Sequence, residues 1–139
     1  MKTILVLEDE LPVLTLLHHV LEQHAYAVRE STNAEGAIRC FLEANRQIDL
    51  LLADITLPKS SGIEVALLLR EELPVLRVIL ISGYPPRVWK ARYAADLARL
   101  GTDSVAFLQK PFEPQALLNC VHDLIGGQSA AAGAGAALP

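Results

Sequence analysis

Chemistry-bearing side chains follow four short apolar runs along the chain. Glu8-Asp9 comes after residues 4–7, Asp54 after 48–53, Ser82 after 75–81, and Lys110 shortly after 105–108. If these run ends meet at one edge, three carboxylates, a hydroxyl and an ammonium gather there. Packed carboxylates repel one another, so the cluster needs either raised pKa values or a divalent cation. Oxygen-only donors at a mouth open to water suit Mg²⁺. That ion takes octahedral geometry at ~2.0–2.1 Å and keeps waters beside one or two carboxylates and a phosphate. A cation also lowers the barrier for an anionic phosphoryl donor to approach an anionic aspartate. The charge of Lys110 and the Ser82 hydroxyl would then hold the phosphoryl oxygens.

The elements that must position these residues follow from periodicity. The run over residues 4–7 reads as a buried strand. From Pro12, Leu14, Leu17 and Leu21 recur at helical spacing, and proline suits a first helical turn. Residues 26–29 read as a second strand. Ser31-Thr32-Asn33 offers N-caps for a helix whose inner face is Ala34, Ala37, Ile38 and Phe41. A third strand is expected over 48–53, a helix over 62–73 stopped by Pro74, and a fourth strand within 75–81. One helix is expected over 87–100, ending at Gly101, because Tyr84-Pro85-Pro86 keeps the chain out of the helical region until then. A fifth strand over 105–108 and a helix over 113–125 complete the alternation. Five strands alternating with five helices imply an α/β protein with a parallel sheet covered on both faces. In such sheets ligands sit beyond the carboxyl ends of the strands, where the four residue groups above fall.

Composition bounds the rest. The chain has 139 residues, 52% hydrophobic and 20% charged, with mean hydropathy +0.32. That is one domain's worth of chain and too apolar for disorder. A formal net charge of −4 argues against a broadly basic nucleic-acid surface. Cys40 and Cys120 lack metal spacing and read as thiols in a reducing compartment. His18 and His19 point about 100° apart on a helix and are poor co-ligands. No apolar run approaches the ~18 residues of a membrane span. The stretch after Met1-Lys2 ends at Leu7 and is too short for a signal peptide. A cytoplasmic protein is expected, with a domain over residues 1–125 and a flexible Ala/Gly-rich tail over 126–139.

Four ordered motifs carry a resemblance: Ile4-Leu5-Val6-Leu7-Glu8-Asp9-Glu10; Asp54-Ile55-Thr56-Leu57-Pro58 with Ser61-Gly62; Ile79-Leu80-Ile81-Ser82-Gly83; and Lys110-Pro111-Phe112. Over about residues 2–125 the chain resembles the CheY-like receiver domains of response regulators in two-component signalling. The resemblance implies a three-layer flavodoxin-like fold with five parallel strands in the order 2-1-3-4-5 and five helices. It also implies that Asp54 accepts a phosphoryl group, with Asp9 a direct Mg²⁺ ligand and Glu8 its acidic partner, acting through water. Thr56 would ligate through its backbone carbonyl. Ser82 would be the switch hydroxyl, Lys110 the phosphate-binding lysine, Lys110-Pro111 a cis peptide and Phe107 the aromatic switch residue.

Tyr84 is larger than the resemblance leads one to expect, and the stretch 87–103 is long and locally basic through Arg87, Lys90, Arg92 and Arg99. The expected function is a single-domain response regulator. A histidine kinase or histidine phosphotransfer protein would phosphorylate it, and it would act on a protein target without contacting nucleic acid or membrane, as a monomer or weak dimer. It would not be an enzyme beyond its own phosphorylation and slow dephosphorylation. Three other readings compete with it. An aspartyl-phosphate phosphatase or phosphotransferase would need a cap and a second acid/base Asp near Asp54. An FMN carrier is disfavoured because Glu8-Asp9-Glu10 occupies the turn where a phosphate would bind. A phosphorylation-independent adaptor of the same fold is the third.

Overall fold

The computed structural model describes residues 1–126. The element order is β1 (Thr3–Leu7), α1 (Leu11–Gln23), β2 (Ala27–Ser31), α2 (Ala34–Glu43), β3 (Leu50–Asp54), α3 (Gly62–Glu72), β4 (Arg77–Ser82), α4 (Pro86–Arg92), α5 (Ala94–Leu100), β5 (Val105–Gln109) and α6 (Pro114–Ile125). The five strands form one parallel sheet in the order β2-β1-β3-β4-β5, as expected. The tail expected over 126–139 lies, apart from Gly126, outside the described residues. No helix among the described residues is long and apolar enough to cross a membrane.

Successive strand residues point to opposite faces, so a strand buried on both sides must be apolar throughout. β3 is buried at every position and apolar at all but its last, Asp54. Its Leu51 and Ala53 join Leu5 and Leu7 of β1 in a core beneath α2, α3, α4 and α5. Leu50 and Leu52 join Ile4 and Val6 in a second core beneath α1 and α6. The result is three layers, with β3 at the centre.

Helix starts follow local chemistry. Asn33 caps α2 by accepting the Gly36 N–H at 2.7 Å. Ser61 caps α3 in a reciprocal capping box with Glu64. Pro86 opens α4 one residue earlier than expected, while Pro85, itself before a proline, stays extended at φ −67°, ψ 154°.

The single helix expected over 87–100 is two helices, so the described residues hold six helices rather than five. The break falls at Tyr93, at φ −110°, ψ 23°. Backbone bonds span it on both sides, from Tyr93 N–H to Trp89 O at 3.0 Å and from Leu97 N–H to Tyr93 O at 2.9 Å. The apolar series Trp89, Tyr93, Leu97, Leu100 keeps helical spacing across the break, and all four side chains reach the same core. Periodicity therefore does not register the kink.

Arg70 of α3 holds the far end of this region. Its guanidinium donates to the carbonyls of Leu76 at 2.9 Å, Leu100 at 2.8 Å and Asp103 at 3.2 Å. Arg70→Met removes these donors, and the part-buried Leu76 and Leu100 carbonyls lose their side-chain partner. The expected cost is about 2 kcal/mol, read as a lower urea midpoint.

On the opposite face, His18 of α1 bridges to Glu30 of β2 at 2.5 Å and to Glu22 at 3.4 Å. The bond to Glu30, and then that to Glu22, raises the imidazole pKa above its ordinary 6.5 against the opposing effect of burial. A raised folded-state pKa means the stabilisation is fully present below the unfolded value and is lost as pH rises through the folded one. His18→Gln should therefore cost up to about 1 kcal/mol under mildly acidic conditions and nothing in alkali, because the pair is partly exposed. Chemical denaturation at both pH values checks this.

Candidate functional site

A parallel sheet places every strand's carboxyl end on the same edge. The register pairs Leu7 with Ala53, Asp54 with Ile81, and Ser82 with Gln109. Backbone bonds continue past the strands, from Glu8 N–H to Ser31 O at 3.1 Å and from Lys110 N–H to Ser82 O at 2.8 Å. Glu8, Asp54, Ser82 and Lys110 thus come to one edge, as their sequence positions imply. The Lys110-Pro111 peptide is cis, also as expected.

Asp54, 5% exposed, is held from both sides. Its Oδ1 accepts the Thr56 N–H at 2.9 Å, and its Oδ2 accepts from Lys110 Nζ at 2.8 Å. A bridge between Thr56 and Ser61 closes the loop behind it. Gly62 then passes so near that a Cβ there would lie 2.3 Å from the Asp54 carbonyl oxygen. The glycine in Ser61-Gly62 is required by this close approach.

Lys110 Nζ also reaches Glu10 at 3.0 Å and lies 2.9 Å from Glu8 Oε1. Burial alone would lower the lysine's pKa, but bonds to Asp54, Glu8 and Glu10 outweigh it and hold the ammonium more firmly than usual. Glu8 is fully buried. Its Oε2 accepts the Glu10 N–H at 3.2 Å, whereas Oε1 faces Lys110 as an ion pair without an aligned hydrogen-bond donor. Burial, aided by the charge of Asp54, pushes the Glu8 carboxyl up to about 7 against the lowering by Lys110.

One carboxylate oxygen each from Glu8, Glu10 and Asp54 lies within 4.8 Å of the others. Three carboxylates thus face one ammonium, and one buried oxygen lacks a hydrogen bond. This all-oxygen, under-compensated set fits a hard divalent cation. Asp9, the direct ligand implied by the resemblance, is half-buried and is not one of the three. Glu10 takes a place that the sequence reading did not assign to it. The signal is present in the acidic run 8–10, but which carboxylate reaches Lys110 depends on the bend after β1.

Thr56 touches Asp54 through its amide N–H. Ser82 is 2% exposed, and its Oγ accepts the Tyr84 N–H at 3.0 Å. Phe107 is 41% exposed and packs on Trp89, with ring centroids 5.0 Å apart. Sequence reading missed Trp89; its spacing marked only a helix face.

A site of this composition, at the carboxyl edge of a sheet in this order, matches a known family. The model of the response regulator receiver domain matches residues 4–122, and the chain belongs to that family. It is 34% identical over 124 residues to the transcriptional regulatory protein ResD of Bacillus subtilis, covering 88% of this chain and 47% of ResD. It is 28% identical over 126 residues to the sensor kinase CckA of Brucella abortus, covering 91% of this chain and 13% of CckA. The chain thus spans less than half the length of these two relatives. Among solved structures, the Thermotoga maritima response regulator TrrA, in complex with Mg²⁺-BeF, is similar at TM-score 0.72 and 31% identity, covering 89% of this chain and 99% of TrrA.

Proposed function

We propose that the receiver unit, residues 1–125, takes a phosphoryl group on Asp54 in a Mg²⁺-dependent reaction and switches conformation in response. The observation that carries this reading is the contact of Lys110 with Asp54 at 2.8 Å beside the buried Glu8 Oε1, which accepts no hydrogen bond. Glu8, Asp9, Asp54 and the Thr56 carbonyl are the residues that would hold the ion, and Glu10 joins them on geometry. Bound Mg²⁺ would neutralise charge between the aspartate and the incoming phosphoryl oxygens.

The chain's own residues do the rest. The Thr56 N–H and the Lys110 ammonium orient the Asp54 carboxylate, whose oxygen attacks phosphorus. The new O–P bond forms as the P–N bond to the donor's histidine breaks, and the imidazole leaves. Lys110 then holds the phosphoryl oxygens, and Ser82 supplies a hydroxyl on the same edge. The donor is a histidine kinase or histidine phosphotransfer protein, and the setting is cytoplasmic. The chain performs no turnover on other substrates; the output is a shift between two conformations read by a protein target through a surface that includes Phe107.

The test is a titration with beryllofluoride while amide NMR spectra are recorded. Saturable shifts at Asp54, Ser82 and Lys110 are expected with Mg²⁺ and none when EDTA removes it. Spectra unmoved in the presence of both reagents would refute the assignment.

A further inference from the structure

A chain of contacts leads from Ser82 to the surface through a residue the phosphoryl site does not use. Ser82 Oγ accepts the Tyr84 N–H at 3.0 Å. The Tyr84 carbonyl accepts the indole N–H of Trp89 at 3.1 Å. Trp89, only 5% exposed, lays its ring against Phe107 at 5.0 Å, and Lys90 Nζ stands 5.9 Å from the centre of the Phe107 ring. Tyr84 is itself exposed, so its carbonyl is fixed by Trp89 rather than by packing of its own side chain.

This arrangement resists any movement of the Ser82 hydroxyl. A serine oxygen that turns toward a phosphoryl group leaves the Tyr84 N–H without its acceptor. The Gly83–Tyr84 peptide is then free to reorient, and rotation about Tyr84 draws the carbonyl of the following Tyr84–Pro85 peptide off the Trp89 indole N–H, a largely buried donor that is costly to leave unpaired. Loss of that bond frees the Trp89 ring, and with it the surface that keeps Phe107 outward.

We propose that Trp89 is a positioning residue: its indole latches the Ser82–Tyr84 turn and Phe107 in the unphosphorylated arrangement and releases both together when Ser82 engages the phosphoryl group. The inference rests on the reading of Asp54 as phosphoryl acceptor and adds the coupling residue.

Trp89 is the single tryptophan of the chain, so its emission reports on the latch alone. The experiment titrates the full chain with beryllofluoride at saturating Mg²⁺ and records amide NMR spectra and tryptophan emission in parallel. Emission is expected to shift with the same midpoint as the Asp54 and Lys110 amides. Trp89→Phe keeps an aromatic ring against Phe107 but removes the N–H donor. It should bind beryllofluoride about fivefold more tightly, because the unliganded arrangement has lost one hydrogen bond, even as thermal stability falls. A merely structural tryptophan would leave binding unchanged or weaken it. Amide shifts with unmoved emission, or a Trp89→Phe variant that binds no more tightly, overturn the latch and leave the phosphoryl site standing. Absence of any Asp54 or Lys110 response in the wild type overturns both. The wild-type emission decides the matter even if the variant fails to fold.

Discussion

Replacing Asp54 with asparagine is expected to abolish phosphoryl labelling completely while leaving the fold at least as stable as the wild type. The two outcomes share one cause. The Asp54 carboxylate is both the nucleophile and a source of repulsion on Glu8, whose carboxyl is held up at about 7 by burial first and by that charge as well. Asparagine keeps an oxygen for the Thr56 N–H but is too weak a nucleophile for acyl-phosphate formation. Lys110 retains Glu8 and Glu10 as partners. Removing one of three clustered negative charges should stabilise the metal-free protein by about 1 kcal/mol. Labelling by a small phosphoryl donor, read alongside urea denaturation without Mg²⁺, checks both halves. Retained labelling in Asp54→Asn would show that the acceptor lies elsewhere.

Gly62→Ala is expected to damage fold and site together. The added methyl would stand 2.3 Å from the Asp54 carbonyl oxygen and 3.0 Å from Ala53 Cβ. Neither neighbour can yield cheaply, since one is backbone and the other belongs to the central strand's fully buried surface. α3 or the end of β3 must therefore move. Overpacking of this kind costs about 3 kcal/mol. The displacement falls on the residue meant to carry the chemistry, and small misplacements of reacting groups cost up to ~100-fold. Beryllofluoride binding should weaken by at least about tenfold, alongside a lower urea midpoint. A Gly62→Ala protein with wild-type stability and binding would mean that the loop yields freely at this point.

Much of this architecture could be read before any coordinates. The buried strands announce themselves because a strand covered on both faces must be apolar at consecutive positions, as residues 50–53 are. Strand ends stand within about two residues of expectation, and Asn33, one of the N-caps offered by Ser31-Thr32-Asn33, caps α2 because a short polar side chain can satisfy a free N–H there. Glu8, Asp54, Ser82 and Lys110 were placed at strand ends from position alone, since a parallel sheet brings all such ends together. The helix break at Tyr93 was not legible, because apolar spacing reports which face is buried and not whether the axis bends. Trp89 was not legible either: its indole N–H finds its acceptor five residues back, across a proline-defined turn.

The sequence by itself determined the alternation of elements, the apolar centre of the sheet and which residues stand at its carboxyl edge, because these follow from local chemistry and period. Tertiary structure alone decided that Glu10 stands with Glu8 and Asp54 around Lys110, that Glu8 Oε1 is buried without a hydrogen bond, and that Ser82, Tyr84, Trp89 and Phe107 form a continuous path. These depend on side-chain directions and on distances between segments far apart in the chain. Spacing along the chain sets where a residue stands on its element, while packing between elements sets what it touches.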